Sequence, residues 1–387
     1  MSDKKFHENQ CPVFKKCGGC QLQNLSYGEQ LKIKQAKVER MLKRFCKVHP
    51  IIGMENPYHY RNKVQAAFYT NRQGKIISGV YQSGSHHVVG IDSCLIEDMT
   101  ADKIITTVRK LMPSFKMTTY NEDTGKGFLR HILVKRGFAT NQVMLVLVTG
   151  SPVFPSKNNF VKAIRSRFPE ITTIVQNVNP YKTNLVLGDN QKVLYGKGYI
   201  EDILCDCQFR ISPKSFYQVN PVQTEVLYGK AIEYAGLKGK ETVLDTYCGI
   251  GTIGIIAAKH GAGRVIGAEL NGDAVRDAIV NAKANRLNNI QFYKCDAGDF
   301  MQDAAAENEK IDVVFMDPPR AGSSQKFLDA LIKMSPNTVV YVSCNPETLA
   351  RDLRYLTDNS NYKVREIQPV DMFPHTSHVE CVVLITK

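Results

Sequence analysis

Val243-Leu244-Asp245-Thr246-Tyr247-Cys248-Gly249-Ile250-Gly251-Thr252 reads as a short apolar strand ending on an acid, a glycine-bearing turn, and the first residue of a helix. Glycines in such a turn let the backbone approach a ligand closely, and the acid at the strand end accepts hydrogen bonds from amine or hydroxyl groups. The spacing is D-x-x-C-G-x-G. It differs from the G-x-G-x-x-G of dinucleotide turns and the G-x-x-x-x-G-K of phosphate loops, which argues against nicotinamide and ATP.

Outward from this turn the texture alternates strand and helix. Asn220-Pro221 is a capping side chain followed by proline at the first helical position, opening a helix that runs to about Leu237. Apolar runs follow at Thr242–Asp245, Arg264–Leu270, Ile290–Asp296, Ile311–Met316, Thr338–Ser343, Val364–Val370 and Val379–Thr386. Seven strands threaded by helices predict an α/β fold: a mostly parallel, Rossmann-like sheet with ligands beyond the carboxyl ends of its strands. Glu269 ends the second of these strands, 24 residues after Asp245, where a carboxylate suits a ribose diol, and Asp296 ends the third. Acids that merely cap helices or turns give the same pattern. The row resembles that of class I S-adenosyl-L-methionine-dependent methyltransferases, in which it holds the cofactor.

Two later strand ends carry reactive groups: Met316-Asp317-Pro318-Pro319-Arg320 and Val342-Ser343-Cys344-Asn345-Pro346. Asp-Pro-Pro is shared with enzymes that methylate exocyclic base amines. Those usually place an aromatic residue next, whereas Arg320 follows here, and an amine is already nucleophilic, which would leave Cys344 idle. Carbon 5 of uracil, by contrast, becomes reactive only when a nucleophile adds to carbon 6, which a thiolate can do. A base must then remove the carbon 5 hydrogen, and Glu380 is the candidate. Most free cysteines are small buried hydrophobes. A strand-end cysteine beside Asn-Pro on the ligand edge is read as a nucleophile instead.

Ser-Cys-Asn-Pro-x-Thr-Leu-Ala-Arg-Asp (343–352), Met-Asp-Pro-Pro-Arg (316–320), Phe-Pro-His-Thr-x-His-Val-Glu (373–380) and Ser-Phe-Tyr-Gln-Val-Asn (215–220) resemble the signatures of the RNA uracil-5-methyltransferase family. The resemblance implies Cys344 as nucleophile and Glu380 as proton-abstracting base. It places Gln218, Tyr247, Glu269 and Asp317 around cofactor and target, and Phe216 beside the uracil. With the strand-end row and the glycine turn, the candidate cofactor-binding set is Gln218, Asp245, Tyr247, Gly249, Thr252, Glu269, Asp296 and Asp317. The candidate substrate-binding set is Phe216, Asp317 and Arg320.

Upstream, Tyr27–Phe45 reads as a basic helix, with Leu31, Val38, Met41, Leu42 and Phe45 on one face and Lys32, Lys34, Lys37, Arg40, Lys43 and Arg44 available to phosphate. From Asn62 to Arg210 short alternating runs such as Val64–Tyr69, Gln142–Leu147 and Gln191–Gly196 predict a β-rich middle domain. Arg61, Lys63, Arg130, His131, Lys135 and Arg136 are expected on its RNA-facing surface; exposed strands also carry such residues for solubility alone.

Cys11-x5-Cys17-Gly18-Gly19-Cys20 with distant Cys94 supplies four thiols, a set that fits zinc or an iron-sulfur cluster on spacing alone. The C-x3-C-x2-C loop of radical enzymes is absent. The motif resembles the ribosomal branch of the family, which implies a [4Fe-4S] cluster on Cys11, Cys17, Cys20 and Cys94 in a structural or RNA-positioning role. Many members of that branch begin with a small TRAM-like RNA-binding β-barrel, and this chain begins directly at the cysteine motif. Cys46, Cys205, Cys207, Cys248, Cys295 and Cys381 are read as packing residues. Four units are expected: an iron-sulfur motif (1–22), a basic helical segment packed on the methyltransferase domain (23–54), a β-rich central domain (55–210) and the methyltransferase domain (211–387).

The 387 residues are 43% hydrophobic, enough for two or three packed cores, and no stretch approaches the roughly 20 apolar residues of a membrane span. The leading Met1–Gln10 is polar, and eleven cysteines without an export signal indicate a reducing, cytoplasmic setting. Lys and Arg number 50 against 37 Asp and Glu, and residues 1–72 hold 14 basic and 5 acidic side chains. Such an excess favours a polyanion through counterion release, although a solvated basic surface gives the same count. The expected activity is 5-methyluridine formation in RNA, in 23S ribosomal RNA ahead of transfer RNA, by a monomer. A base-amine methyltransferase and a catalytically inactive iron-sulfur RNA-binding protein are the alternatives.

Overall fold

A computed structural model describes residues 11–82, 85–307 and 309–387; the polar leading decapeptide lies outside them. After a short turn of helix, α1 (Phe14–Cys17), comes α2 (Tyr27–Leu42), opened by a capping box in which Ser26 and Glu29 satisfy each other's backbone amides. Helical spacing of four places Gln30, Lys34, Val38 and Leu42 in one buried row. Lys34 therefore does not join the phosphate-facing side, as its charge led us to expect. Its Nζ lies 2.6 Å from Asp371 Oδ1, with both side chains almost wholly buried.

The central domain contains β1 (Lys63–Thr70), β2 (Ile76–Tyr81), β3 (Val88–Gly90), α3 (Met99–Leu111), β4 (Leu129–Arg136), β5 (Val143–Thr149), α4 (Lys157–Arg165), β6 (Ile171–Val178) and β7 (Asn190–Tyr195). The sheet order is β3-β2-β1-β4-β5-β6-β7, antiparallel except where α4 crosses between the parallel β5 and β6. Helices α3 and α4 cover one face, burying Ile104, Val108, Phe160 and Ile164 against Phe68, Ile132 and Leu147. The other face, through Leu133, Met144, Val146 and Val148, shares a core with Phe209, Leu227, Ile255 and Phe315.

With both faces covered, central strand β4 is buried, and that corrects the expected RNA-facing set. Arg130 pairs through two nitrogens with both oxygens of Glu122, each at 2.7 Å, and also donates to the Asn179, Tyr181 and Thr183 carbonyls. His131 is buried. Lys135 Nζ donates to the Ser212 and Ser215 carbonyls at 2.8 Å each, and burial, reinforced by Lys63, draws its pKa down to about 7. Arg136 is paired with Asp98 at 2.6 Å. These are internal pins of the fold rather than free cations.

A hairpin, β8 (Ile200–Leu204) and β9 (Cys207–Ile211), leads into α5 (Pro221–Ala235), capped by Asn220 as expected. Then come β10 (Thr242–Thr246), α6 (Thr252–Lys259), β11 (Arg264–Glu269), α7 (Gly272–Ala284), β12 (Ile290–Lys294), α8 (Ala297–Ala306), β13 (Val313–Met316), α9 (Gln325–Met334), β14 (Thr338–Ser343), α10 (Pro346–Asn359), β15 (Lys363–Val370) and β16 (Glu380–Thr386). The seven strands anticipated from the apolar runs form one sheet, ordered β12-β11-β10-β13-β14-β16-β15. Strand order reverses on either side of β10, a switch point that leaves a crevice at the carboxyl edge. Strands β10 to β14 are parallel, whereas β16 runs antiparallel to β14. The start of β16 consequently lies at the same edge as the ends of the others. Among the described residues no helix is long and apolar enough to cross a membrane.

Candidate active site

The crevice at that edge is a cavity of about 450 Å³. Asp245, Glu269, Asp317 and Cys344 reach it from the ends of four strands, Glu380 from the start of β16, and Phe216 and Gln218 from the segment before α5. Tyr247, Gly249, Thr252 and Arg320 complete the expected residues on its wall. Asp296 is not among them: its side chain caps α8, accepting from the Gly298 and Asp299 amides. That was the alternative reading of a strand-end acid, and here it applies.

The glycine turn is held tightly. Asp245 Oδ2 accepts from the Gly254 amide at 2.7 Å, while Glu269 accepts from the Gly249 amide at 3.1 Å and the Asn271 amide at 2.7 Å. Tyr247 adopts a left-handed φ of 59°, a conformation disfavoured for a non-glycine residue and concentrated at functional turns. Gly251 has a φ of 82°, and a Cβ there would lie 2.8 Å from the Phe292 ring.

Cys344 and Glu380 are neighbours on the cavity wall. The antiparallel ladder ends at the pair Ser343–Cys381, so Cys344 follows and Glu380 precedes that last pair, and Glu380 is near enough to raise the Cys344 thiol pKa. Cys344 is partly exposed rather than sealed, and Glu380 is buried. Asn345, beside the cysteine, caps α10 through the Glu347 amide and donates to the Arg320 carbonyl at 3.2 Å. Thr348 reaches the same carbonyl, and Arg351 donates to the Ala321 and Ser323 carbonyls. Asp352 accepts from Ser323 N at 2.8 Å and from Tyr341 Oη at 2.7 Å. The 343–352 motif thus fastens the Asp317–Ser323 loop to the cysteine loop.

Electrostatically the cavity is acid-rich. Burial pushes Asp317 up to about 7 and Glu380 to about 8, the latter helped by Asp317 and opposed by Arg320. Burial also raises Asp245 to about 8, against its bond from Gly254. The Cys344 thiol is pushed up to about 11, first by burial, then by Glu380 and Asp317, with Arg320 pulling it down. A buried, acid-rich wall of this kind favours a cationic ligand, whose charge would draw these carboxyl groups back toward ionisation. A nucleophile, a base and a cation on one wall can support addition and elimination at an electrophilic carbon.

Tyr228, Cys248, Phe373 and His378 also line the cavity and were not among the expected site residues. Tyr228 follows Thr224 and Leu227 on the buried face of α5 and reads as core, and Cys248 was taken for packing. His378 lies 3.5 Å from Arg320 within a quoted motif, which was the available signal.

The four N-terminal-motif thiols meet elsewhere. Cys11, Cys17, Cys20 and Cys94 line a separate cavity of about 370 Å³ with Arg61, Lys63, Gln65 and Glu97. Burial, followed by the neighbouring thiols Cys17 and Cys11, raises Cys20 to about 12, and burial raises Cys17 and Cys94. Among the described residues no group of three or more His, Cys, Asp or Glu is arranged to hold one metal ion. The expected iron-sulfur centre is therefore not shown by the side-chain arrangement, although its four thiols share one cavity.

A family model described as tRNA (Uracil-5-)-methyltransferase matches residues 26–387. A Bacillus cereus protein described as an uncharacterized RNA methyltransferase is 45% identical over 383 residues, covering 98% of this chain and 83% of that protein. An Oceanobacillus iheyensis protein of the same description is 46% identical over 376 residues, covering 96% and 81%. Among solved structures, the Pyrococcus abyssi tRNA (uracil-54, C5)-methyltransferase in complex with S-adenosyl-L-homocysteine superposes with a TM-score of 0.80 at 30% identity, covering 95% of this chain and 86% of that one.

Proposed function

This chain belongs to the tRNA (uracil-5-)-methyltransferase family, and from that premise we propose that it methylates carbon 5 of a uridine in RNA through a covalent Cys344 adduct. The observation that carries the reading is that Cys344 and Glu380, flanking the last pair of the β14–β16 ladder, line one cavity. S-adenosyl-L-methionine, when bound, supplies an electrophilic methyl group on a sulfonium. Its cationic character fits a wall that sets Asp245, Glu269, Asp317 and Glu380 against the single cation Arg320. Glu269, Asp245, Gln218, Tyr247, Gly249 and Thr252 are the residues assigned to hold it.

The chain's own residues then act on the pyrimidine. The partly exposed Cys344 thiol first gives its proton to solvent; the thiolate sulfur bonds to carbon 6, and the carbon 5–carbon 6 π pair moves toward carbon 5 and the carbon 4 oxygen as an enolate. Once carbon 5 bears its methyl group, the Glu380 carboxylate takes the remaining carbon 5 proton, the double bond re-forms and the carbon–sulfur bond breaks. Phe216, 67% exposed at the cavity mouth, offers a ring on which a base taken out of its stack can rest. Arg320 offsets negative charge beside both reacting groups.

The cysteine motif favours large-subunit ribosomal RNA as the substrate, and the Pyrococcus abyssi similarity favours transfer RNA as a second reading. A deletion strain tests both: nucleoside mass spectrometry of its separated 23S and transfer RNA should lack one 5-methyluridine in the ribosomal fraction. Loss from transfer RNA supports the second reading, and an unchanged inventory contradicts both.

The four thiols around the N-terminal cavity support a [4Fe-4S] cluster in preference to zinc. Soft donors select either, and the reading rests on the four thiols sharing one cavity and on the likeness of the C-x5-C-G-G-C motif to the ribosomal branch. Iron and sulfide analysis of anaerobically purified protein checks it; stoichiometric zinc without iron would contradict it.

A further inference from the structure

The segment from Asp371 to His378, which delivers Glu380 to the cavity, is held from outside at almost every residue. Gln223 Nε2 donates to the Asp371 carbonyl at 3.1 Å, Asn220 Nδ2 to Met372 O at 3.0 Å, Lys34 Nζ to Phe373 O at 3.0 Å and Tyr60 Oη to Pro374 O at 3.0 Å. Leu22 N donates to His375 O at 2.9 Å. The last two anchors are glutamines. Gln30 Oε1 accepts from His375 N at 2.8 Å while its Nε2 lies 3.1 Å from His375 Nδ1. Gln21 Oε1 accepts from Ser377 N at 3.1 Å while its Nε2 donates to the Gly18 carbonyl at 2.9 Å.

Gln21 ties the cysteine turn to this loop alongside Leu22, and Gln30 ties α2 to it alongside Lys34, which reaches both Asp371 and Phe373. Gly18 lies in the Cys17-Gly18-Gly19-Cys20 turn, so Gln21 ties the rim of the thiol cavity directly to the loop before Glu380. His375 needs its clamp: it is buried with a left-handed φ of 68°, a conformation that persists only where the surroundings over-determine it. On the far side of the same loop, Phe373 and His378 face the catalytic cavity. Cys344 is carried by a different strand and loop, fastened to Arg320 and α10, and none of these glutamine contacts touches it.

We propose that Gln21 and Gln30 are positioning residues for proton abstraction, through which the N-terminal cysteine turn sets the placement of Glu380. This rests on the reading of Glu380 as the base. Weakening the clamp then impairs elimination and leaves addition intact, so the covalent RNA–protein intermediate accumulates.

The test uses the full chain with a uridine-containing RNA substrate and S-adenosyl-L-methionine, measuring turnover, KM for RNA and the fraction of protein shifted by covalently attached RNA on a denaturing gel. Gln21 is exposed, so Gln21→Ala does not threaten folding. Losing the one hydrogen bond from Gln21 to the 371–378 loop should lower kcat about 3–10-fold, and losing the two from Gln30 to His375 in Gln30→Leu about 10–50-fold, with KM unchanged and the adduct fraction above wild type. Gln21→Glu keeps the acceptor for Ser377 N and should restore most of the turnover. Glu380→Gln, run alongside, separates the failures. Adduct in Glu380→Gln but none above wild type in the glutamine variants overturns the positioning role alone, and no adduct in Glu380→Gln overturns the base assignment together with it.

Discussion

Two cavities in this molecule are lined by cysteine, and they are built in opposite ways. The one at the sheet edge holds Cys344 among Asp317, Glu380 and Arg320, with Cys248 also on its wall, on strand ends whose buried apolar residues fix their positions. The one at the N-terminus holds four thiols beside Arg61 and Lys63, on short turns with little regular structure. Both environments raise thiol pKa values. In the first the carboxylates opposite contribute, and in the second the thiols oppose one another. A partly exposed thiol beside a carboxylate on a rigid frame is suited to reversible bond formation, whereas four thiols lining one cavity are suited to binding something that neutralises them.

That contrast can be broken at either end. Replacing Cys344 with Ala should reduce methylation by more than about 10³-fold while the RNA-bound fraction stays near wild type, measured by tritium transfer and filter binding. Retained methylation would make the sheet-edge thiol a packing residue like the others. Replacing Cys17 and Cys20 together with Ser should lower methylation by a smaller factor, about 10–100-fold, through displacement of the 371–378 loop rather than loss of a reacting group. Complete loss at an unchanged melting temperature would instead place the N-terminal thiols in the chemistry.

The electrostatic side sharpens the comparison further. Glu380 raises the Cys344 pKa, so Glu380→Gln should move the pH midpoint of Cys344 alkylation downward by about one unit, leaving that of Cys20 unchanged, as read by peptide mass spectrometry after iodoacetamide pulses. The smallest effect is on stability. Asp317, held near 7 by burial, contributes stability that is present below about pH 4 and lost as pH rises through 7. Ligand-free Asp317→Asn should therefore melt about 2–5 °C above wild type at pH 8.5, with the difference shrinking as pH falls and vanishing near pH 4.

Much of the catalytic half was legible because parallel strands buried on both faces read as uninterrupted apolar runs, as in Val313–Met316 and Thr338–Ser343, and because a residue following such a run lies at the ligand edge. What the runs could not convey was long-range partnership. Lys34 carries the same charge as its neighbours on α2, and only a carboxylate 337 residues away decides that it is buried. Arg130 and Lys135 likewise reveal their internal roles only through Glu122 and the Ser212 and Ser215 carbonyls. Asp296 shows the limit of strand-end logic, since a helix cap and a ligand carboxylate occupy the same place in the chain. Helices α3 and α4 were hidden because each is short and flanked by strands whose alternation dominated the local pattern.

The bond between sulfur and pyrimidine is the claim on which the rest depends, and it can be weighed directly. Glu380→Gln protein incubated with substrate RNA and S-adenosyl-L-methionine, then digested with nuclease and protease, should yield the peptide containing Cys344 with a methylated uridine nucleotide attached. RNA methylated at uridine carbon 5 with every Cys344 peptide unmodified, and no adduct at any stage of the time course, would contradict the account.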